Sequence, residues 1–190
     1  MKIVEPIRDR KKIELMKKIL RAGSVRDYTL FVLGINSGLR ISDILRLKVG
    51  DVAEADGTVR ERMSLKEKKT GKSKDFPLSK NVREAMCEHL NTLGDGDHHP
   101  DDPLFPSRKG FEAITKGQAW RVLAGAARAA GVENIGTHTM RKTFGYHSFK
   151  MGHDLSQIQS LLNHSSQKET LRYIGITRDQ LDKVYETINL

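Results

Sequence analysis

The chain has 190 residues, of which 37% are hydrophobic and 30% are charged, and its 33 Lys and Arg exceed its 24 Asp and Glu to leave a net charge of +9. This length fits one large domain or two small ones, and the composition excludes a disordered tail and, with Cys87 as the single cysteine, a disulfide scaffold. No apolar stretch reaches the ~20 residues of a membrane-spanning helix. We expect a cytosolic protein whose positive charge suits a phosphate backbone better than an acidic protein.

Hydrophobic periodicity predicts three helices near the start of the chain. The first covers Arg8 to Leu20 and ends at Gly23. The second begins after a cap at Ser24, is apolar on nearly all sides and stops at Ser37-Gly38, so we expect it to be a buried central helix. Ser42 is the predicted cap of a short third helix.

The hydrophobic pattern changes at Thr58, and from there apolar and polar residues alternate as far as Leu65. After a turn at Gly71 comes the segment Phe76-Pro77-Leu78, and the two stretches together predict an antiparallel β-hairpin. Its tip is strongly cationic, which taken alone is typical of a solvated turn. The lysines of this tip are Lys68, Lys69, Lys72 and Lys74.

The remainder is predicted to be helical, apart from a loop over Gly94 to Pro103. Adjacent histidines in that loop, His98 and His99, do not complete a metal shell, so no metal site is predicted. Neither half of the chain is large enough for a core of its own, so we expect one mainly α domain with a small antiparallel β-hairpin. The predicted helices run from Ser79 to about Leu93, Lys116 to Ala130, Thr139 to Met151, Asp154 to Leu162, Gln167 to Ile174 and Arg178 to Ile188.

Three charged side chains lie at positions that ordinary packing does not explain well. Arg40 follows the most hydrophobic helix, and a buried guanidinium there needs an anion, either an internal acid such as Asp43 or a bound ligand, unless the side chain extends out to solvent. His138 and Arg141 are three residues apart at the start of a predicted helix, so they share the face near its positive end. This arrangement outlines an anion site, although a capping histidine and an exposed arginine explain it equally well.

Taken in order, five sequence boxes resemble the catalytic domain of the tyrosine recombinases, or phage integrases. They are Gly38-Leu39-Arg40-Ile41-Ser42-Asp43-Ile44, a hairpin lysine before Thr70-Gly71-Lys72, His138-Thr139-Met140-Arg141, Leu162-Asn163-His164 and, nine residues later, Tyr173. The resemblance spans essentially the whole chain. It implies the mainly α DNA breaking-rejoining fold in a single catalytic domain over residues 1–190, without the N-terminal core-binding domain that members normally carry.

The resemblance also implies how a phosphodiester would be held. Arg40 and Arg141 would grip the scissile phosphate, and His164 would hydrogen-bond one of its nonbridging oxygens. Asp43 would support the site without reacting. Outside this resemblance, a histidine such as His164 at a helix end is more often structural.

The reacting groups follow from the same resemblance. Tyr173 would be the nucleophile that forms a 3′-phosphotyrosine intermediate, and His138 would assist proton transfer at its phenol. Lys69 would act as general acid on the leaving 5′ oxygen, with Lys68 and Lys72 as the alternatives. A tyrosine such as Tyr173 is otherwise a common half-buried packing residue.

The resemblance implies cleavage and rejoining of double-stranded DNA with neither cofactor nor metal. Lys68, Lys72, Lys74 and Lys142 would contact the DNA backbone, and Lys142 stands where many members have a second histidine. We expect a homotetramer on DNA, with accessory DNA-bending proteins possible, in the cytoplasm at the nucleoid.

Two other functions fit the same residues. A type IB topoisomerase uses the same side-chain types but relaxes supercoils, and a non-catalytic DNA-binding protein could regulate a full-length integrase. The C-terminal segment Asp179 to Leu190 is amphipathic, and its apolar face could dock on a neighbouring protomer or on its own core.

Overall fold

The computed structural model describes residues 4–93, 99–110 and 112–176, and this part of the chain is mainly α-helical, as predicted. One antiparallel hairpin interrupts the helices and pairs Met63 with Phe76 and Leu65 with Lys74. The elements are α1 (Arg10–Gly23), α2 (Val25–Ser37), α3 (Ile41–Ile44), a 3-10 turn (Val49–Asp51), β1 (Arg62–Lys66), β2 (Ser73–Pro77), α4 (Lys80–Leu90), α5 (Lys116–Ala129), α6 (Thr139–Lys150), α7 (Leu155–Leu161) and α8 (Gln167–Ile174).

Most predicted helix bounds are confirmed to within a few residues, but two starts differ for a local reason. Helix α1 begins at Arg10 rather than Arg8, because the Asp9 side chain accepts a hydrogen bond from the Lys11 amide and caps the helix there. The predicted cap at Ser42 is wrong. Helix α3 begins at Ile41 after an extended Arg40, whose carbonyl accepts the first hydrogen bonds of the turn.

Some predictions fall outside the described residues. These are the helix over Arg178 to Ile188, the docking segment Asp179 to Leu190, and the first half of the predicted loop, residues 94–98, with its His98. Within the described ranges, no helix is long and apolar enough to cross a membrane.

Helix α2 is the buried centre of the larger core, as its all-round apolarity predicts. Leu30, Phe31, Val32 and Leu33 are each no more than 1% exposed, and α2 contacts α1, α4 and α6. Burying each such side chain stabilises the fold by about 1.5–3 kcal/mol. This packing fixes the C-terminal end of α2, and therefore the arginine that follows it, against the N-terminal half of α6.

A second, smaller cluster joins α6, α7 and α8 around Ile158, Leu162 and Ile174. Gly145 allows α6 and α8 to lie close together, since a Cβ there would be only 2.7 Å from Cγ2 of Ile174. The helix that carries Tyr173 therefore packs directly on the helix that carries Arg141.

Candidate active site

The turn between α2 and α3 presents Arg40 to the site. Gly38 ends α2 with a left-handed φ of 62°, and a Cβ there would lie 2.5 Å from the Phe144 ring, so both the backbone and the close packing favour glycine. The side chain of Arg40 is 15% exposed, and its Nη1 lies 3.0 Å from Oε2 of Glu67. The internal acid that meets Arg40 is thus Glu67, whereas Asp43 accepts a hydrogen bond from the Lys68 amide at 2.9 Å.

Arg141 lies in the first turn of α6 and is almost completely buried, with 3% of its side chain exposed. Its Nη1 donates to the carbonyl of Gly38 at 2.6 Å, and its Nη2 donates to the carbonyl of Leu162. Glu67 lies 4.0 Å from Nη1. The planar fork of the guanidinium therefore ties the end of α2 to the end of α7, a geometry that a lysine cannot reproduce.

Tyr173 and His138 form a hydrogen-bonded pair although 35 positions separate them. Nδ1 of His138 lies 3.1 Å from the Tyr173 hydroxyl, and the two rings meet edge to face. Burial lowers the pKa of His138, and the positive charges of Arg141 and Lys142 lower it further, so the imidazole is neutral at neutral pH. Burial raises the pKa of Tyr173, while Arg141 and Arg40 oppose that rise. A protonated phenol therefore faces a neutral imidazole that can accept its proton.

His164 lies on the other side of the same tyrosine. Asn163 adopts a left-handed φ of 48°, which turns the chain after α7 and directs the next residue toward α8. The ring centroids of His164 and Tyr173 are 4.7 Å apart, and Nδ1 of His164 lies 3.2 Å from the Thr170 hydroxyl. Burial lowers the pKa of His164, against the opposing charge of Glu169.

The hairpin tip closes a third side of the site. Lys68 and Lys69 line an open cavity of about 470 Å³ together with Arg40, Lys116 and His138. The charge of Lys69 is also among those that lower the pKa of His138. Of the three predicted candidates for the general acid, the two that line this cavity are therefore Lys68 and Lys69.

Two of the lysines predicted to contact DNA have other surroundings. The ammonium of Lys74 donates to the carbonyls of Ser37 and Leu161, each at 3.3 Å, and burial lowers its pKa to about 8, with Arg141 adding to the effect. The ammonium of Lys142 lies 5.0 Å from the centre of the Tyr173 ring. A DNA contact stays a prediction for both, and for Lys74 the geometry favours a structural role at two helix ends instead.

Glu67 is the site residue that the sequence analysis missed. Its side chain is 0% exposed and lies between Arg40 and Arg141. A signal was present, because Met63 and Leu65 point inward in β1 and the two-residue period of a strand continues the inward face to Glu67. Such a carboxylate predicts a buried cation opposite it.

The described residues contain no group of three or more His, Cys, Asp or Glu side chains that could hold a metal ion. Apart from the carboxylates of Glu67 and Asp43, the charged groups of the site are cationic, with Arg40, Arg141 and the hairpin lysines around one tyrosine. Such a set can bind a phosphodiester directly and stabilise added negative charge on its oxygens. Activity without a cofactor stays a prediction.

Comparison with known proteins identifies the family. The model of the phage integrase family matches residues 8–179. "Probable integrase/recombinase YoeC" of Bacillus subtilis (strain 168) is 41% identical over 186 residues, which are 98% of this chain and 97% of that protein. "Tyrosine recombinase XerC" of Pelobacter propionicus is 32% identical over 85% of this chain but only 51% of that protein. The chain thus spans nearly all of the first relative and about half of the second.

Solved structures agree on the fold. The crystal structure of XerA recombinase superimposes with a TM-score of 0.74 at 18% identity, covering 98% of this chain and 65% of that one. XerH site-specific recombinase bound to its difH substrate has a TM-score of 0.69 at 19% identity, covering 98% and 55%. The comparisons favour neither the topoisomerase nor the regulator. The chain belongs to the phage integrase family of tyrosine recombinases, and it has the catalytic-domain fold of that family.

Proposed function

We propose that this chain cleaves and rejoins DNA strands for site-specific recombination, through a covalent 3′-phosphotyrosine intermediate on Tyr173. The observation that carries the proposal is the 3.1 Å hydrogen bond between Tyr173 and a neutral His138, next to the buried Arg141 and the partly buried Arg40. A tyrosine is a weak nucleophile at neutral pH until a base accepts its proton. This pair combines the nucleophile and the base in one contact.

The cleavage step exchanges one phosphoester bond for another. The phenolic oxygen of Tyr173 attacks the scissile phosphorus, and its proton passes to Nδ1 of His138. The bond from phosphorus to the 5′ oxygen breaks, and that oxygen takes the bonding electron pair and a proton from Lys69. The reverse sequence, with a 5′ hydroxyl of another DNA end as the attacking group, rejoins the strands. Because the phosphotyrosyl ester preserves the bond energy, rejoining needs no nucleotide cofactor.

Arg40 and Arg141 stabilise the transition state of this step. The attack places extra negative charge on the two nonbridging phosphate oxygens, and fixed guanidinium groups meet such charge with paired hydrogen bonds. One donor of this kind typically lowers the barrier by ~2.7 to 4 kcal/mol. His164, whose ring lies against Tyr173, donates a further hydrogen bond, and the positive end of α6 adds a favourable dipole.

The substrate is double-stranded DNA, held through its phosphates by the exposed lysines at the hairpin tip. Lys68 and Lys72 are exposed, and such contacts bind any sequence with an affinity that falls as salt increases. Exchange of strands between two duplexes requires four cleavage events. We therefore propose a tetramer on DNA, with accessory DNA-bending proteins and a nucleoid location as part of the same proposal.

Covalent trapping tests the activity. The wild-type chain is incubated with a pool of duplexes that carry a randomised central segment and a nick next to it, so that the released short strand diffuses away. We expect a denaturant-resistant protein–DNA adduct from the wild type. Tyr173→Phe should abolish the adduct and leave DNA binding nearly unchanged. The matched control is Tyr28→Phe, because Tyr28 is a partly buried tyrosine of the main core, packed under Arg21.

Two results would contradict the proposal. Absence of an adduct from the wild type on every member of the pool would refute strand cleavage by this chain. An adduct with Tyr173→Phe would move the nucleophile to another tyrosine. The candidates would then be Tyr146, which is 8% exposed in the smaller cluster, and Tyr185, which lies outside the described residues.

A further inference from the structure

Glu67 is a buried carboxylate at the centre of the candidate site. Its Oε2 lies 3.0 Å from Nη1 of Arg40 and accepts hydrogen bonds from the Thr70 hydroxyl at 2.7 Å and the Asn163 side-chain amide at 2.8 Å. Its Oε1 lies 4.0 Å from Nη1 of Arg141. One carboxylate therefore lies beside both Arg40 and Arg141, and it also contacts the hairpin tip and the turn after α7.

This carboxylate is ionised in the folded protein. Burial alone would raise the pKa of Glu67, but the Thr70 hydrogen bond and the charges of Arg40 and Arg141 outweigh it and lower the pKa below its ordinary value. Two guanidinium groups buried in one site repel each other unless an anion lies between them. Glu67 meets this need through its contacts with both arginines, and the charge of Asp43 nearby adds to it.

The two hydrogen-bond donors of Glu67 are sequence neighbours of predicted site residues. Thr70 follows Lys69 directly, and Asn163 precedes His164 directly. The hairpin tip and the α7–α8 turn come from distant parts of the chain, and Glu67 links them through contacts of less than 3 Å. Movement of this carboxylate would therefore displace the groups on both sides of a bound phosphate.

We propose that Glu67 is a positioning residue for strand cleavage: its carboxylate holds Arg40 beside Arg141 and ties the Lys69 tip and the His164 turn to them. This inference rests on the proposed function, because it concerns the rate of the same cleavage step. Glu67 acts through these side chains and takes no part in the bonds that form or break.

Glu67→Gln tests the charge while keeping the shape of the side chain. We expect the rate of adduct formation at saturating nicked duplex to fall about 10- to 100-fold, the size of effect that small misplacement of reacting groups causes. DNA affinity should stay the same or increase, because one negative charge is lost. The matched control is Asp75→Asn, which removes a carboxylate from the same hairpin where it is 52% exposed and pairs with Arg62. Asp75→Asn should cleave at the wild-type rate.

Thr70 provides a second test that leaves the buried charge in place, because its side chain lies in the exposed tip. Thr70→Val removes the hydrogen bond to Glu67 and should slow cleavage several-fold, whereas Thr70→Ser keeps a hydroxyl and should lose less. The rates are also measured with sulfur in place of the scissile 5′ oxygen. A thiolate leaves without a proton from Lys69, so the deficit of Thr70→Val should shrink on this substrate.

The outcomes separate this inference from the proposed function. If the wild type forms no adduct, strand cleavage itself is refuted. If the wild type is active and Glu67→Gln matches it, the positioning role is refuted while the activity stands. Where Glu67→Gln unfolds, equal rates for Thr70→Val and Thr70→Ser would overturn the role. If Thr70→Val lowers the cleavage rate equally on the oxygen and sulfur substrates, Glu67 does not act through the position of Lys69.

Discussion

Arg40 and Arg141 are predicted to contribute equally to cleavage but unequally to stability. Arg141→Ala removes a side chain that is 3% exposed and that bonds the carbonyls of Gly38 and Leu162, and it leaves Glu67 with one cation fewer. Breaking a buried pair of this kind costs ~3 to 5 kcal/mol. Arg40→Ala removes one ion-pair contact to Glu67 from a side chain that is 15% exposed, so it should destabilise the protein less than Arg141→Ala does.

The effect on cleavage should be similar for both variants, because each removes one guanidinium from the phosphate. A loss of ~2.7 to 4 kcal/mol of transition-state stabilisation slows adduct formation ~10² to 10³-fold. DNA affinity should change little, since many other phosphate contacts remain. The free energy of unfolding is measured by urea titration. The rate of cleavage is measured under single-turnover conditions with the nicked duplex that traps the adduct. Arg141→Lys is the control, because a lysine keeps the positive charge but lacks the planar guanidinium that bonds both carbonyls.

Two results would refute this reasoning. Equal losses of DNA affinity and cleavage in Arg40→Ala would make Arg40 a backbone contact and not a catalytic group. Wild-type stability in Arg141→Ala would mean that its two carbonyl contacts do not hold α2 and α7 together.

Two further predictions concern pH. Because burial and then Arg141 lower the pKa of His138 below its ordinary 6.5, the cleavage rate at subsaturating DNA should fall toward acid pH with a midpoint below 6.5. A midpoint above 6.5 in the rate profile would contradict a neutral base. Lys74 has a pKa of about 8 against 10.5 for an ordinary lysine, so between these values the unfolded chain binds more protons and stability rises with pH. The shift corresponds to at most ~3 kcal/mol at 1.36 kcal/mol per pKa unit. The Lys74→Met variant should not show this rise when its free energy of unfolding in urea is compared at neutral pH and above pH 10.5. If the wild type and the variant change in parallel, the prediction is wrong.

The local pattern was sufficient for most of the secondary structure. Helix α8 has the predicted bounds, Gln167 to Ile174, because its apolar period and the Gly175 after it are both local signals. Helix α2 is buried as predicted, since a helix that is apolar on all sides has no face for water. The start of α3 was misplaced by two residues because Ser42 resembles a cap, while the hydrogen bonds to the Arg40 carbonyl decide where the turn begins.

Sequence by itself determined the helical fold, the cationic hairpin and the order of the candidate site residues, because period and spacing are properties of the chain. Only the tertiary structure decided which groups meet: His138 reaches Tyr173 over 35 positions, and Glu67 reaches Asn163 over 96. These contacts depend on how closely α2, α6 and α8 pack, as at Gly145, and a one-dimensional pattern carries no record of distance between helices. The two-residue period of β1 places the Glu67 carboxylate on the inward face, but only the fold places it between the two arginines.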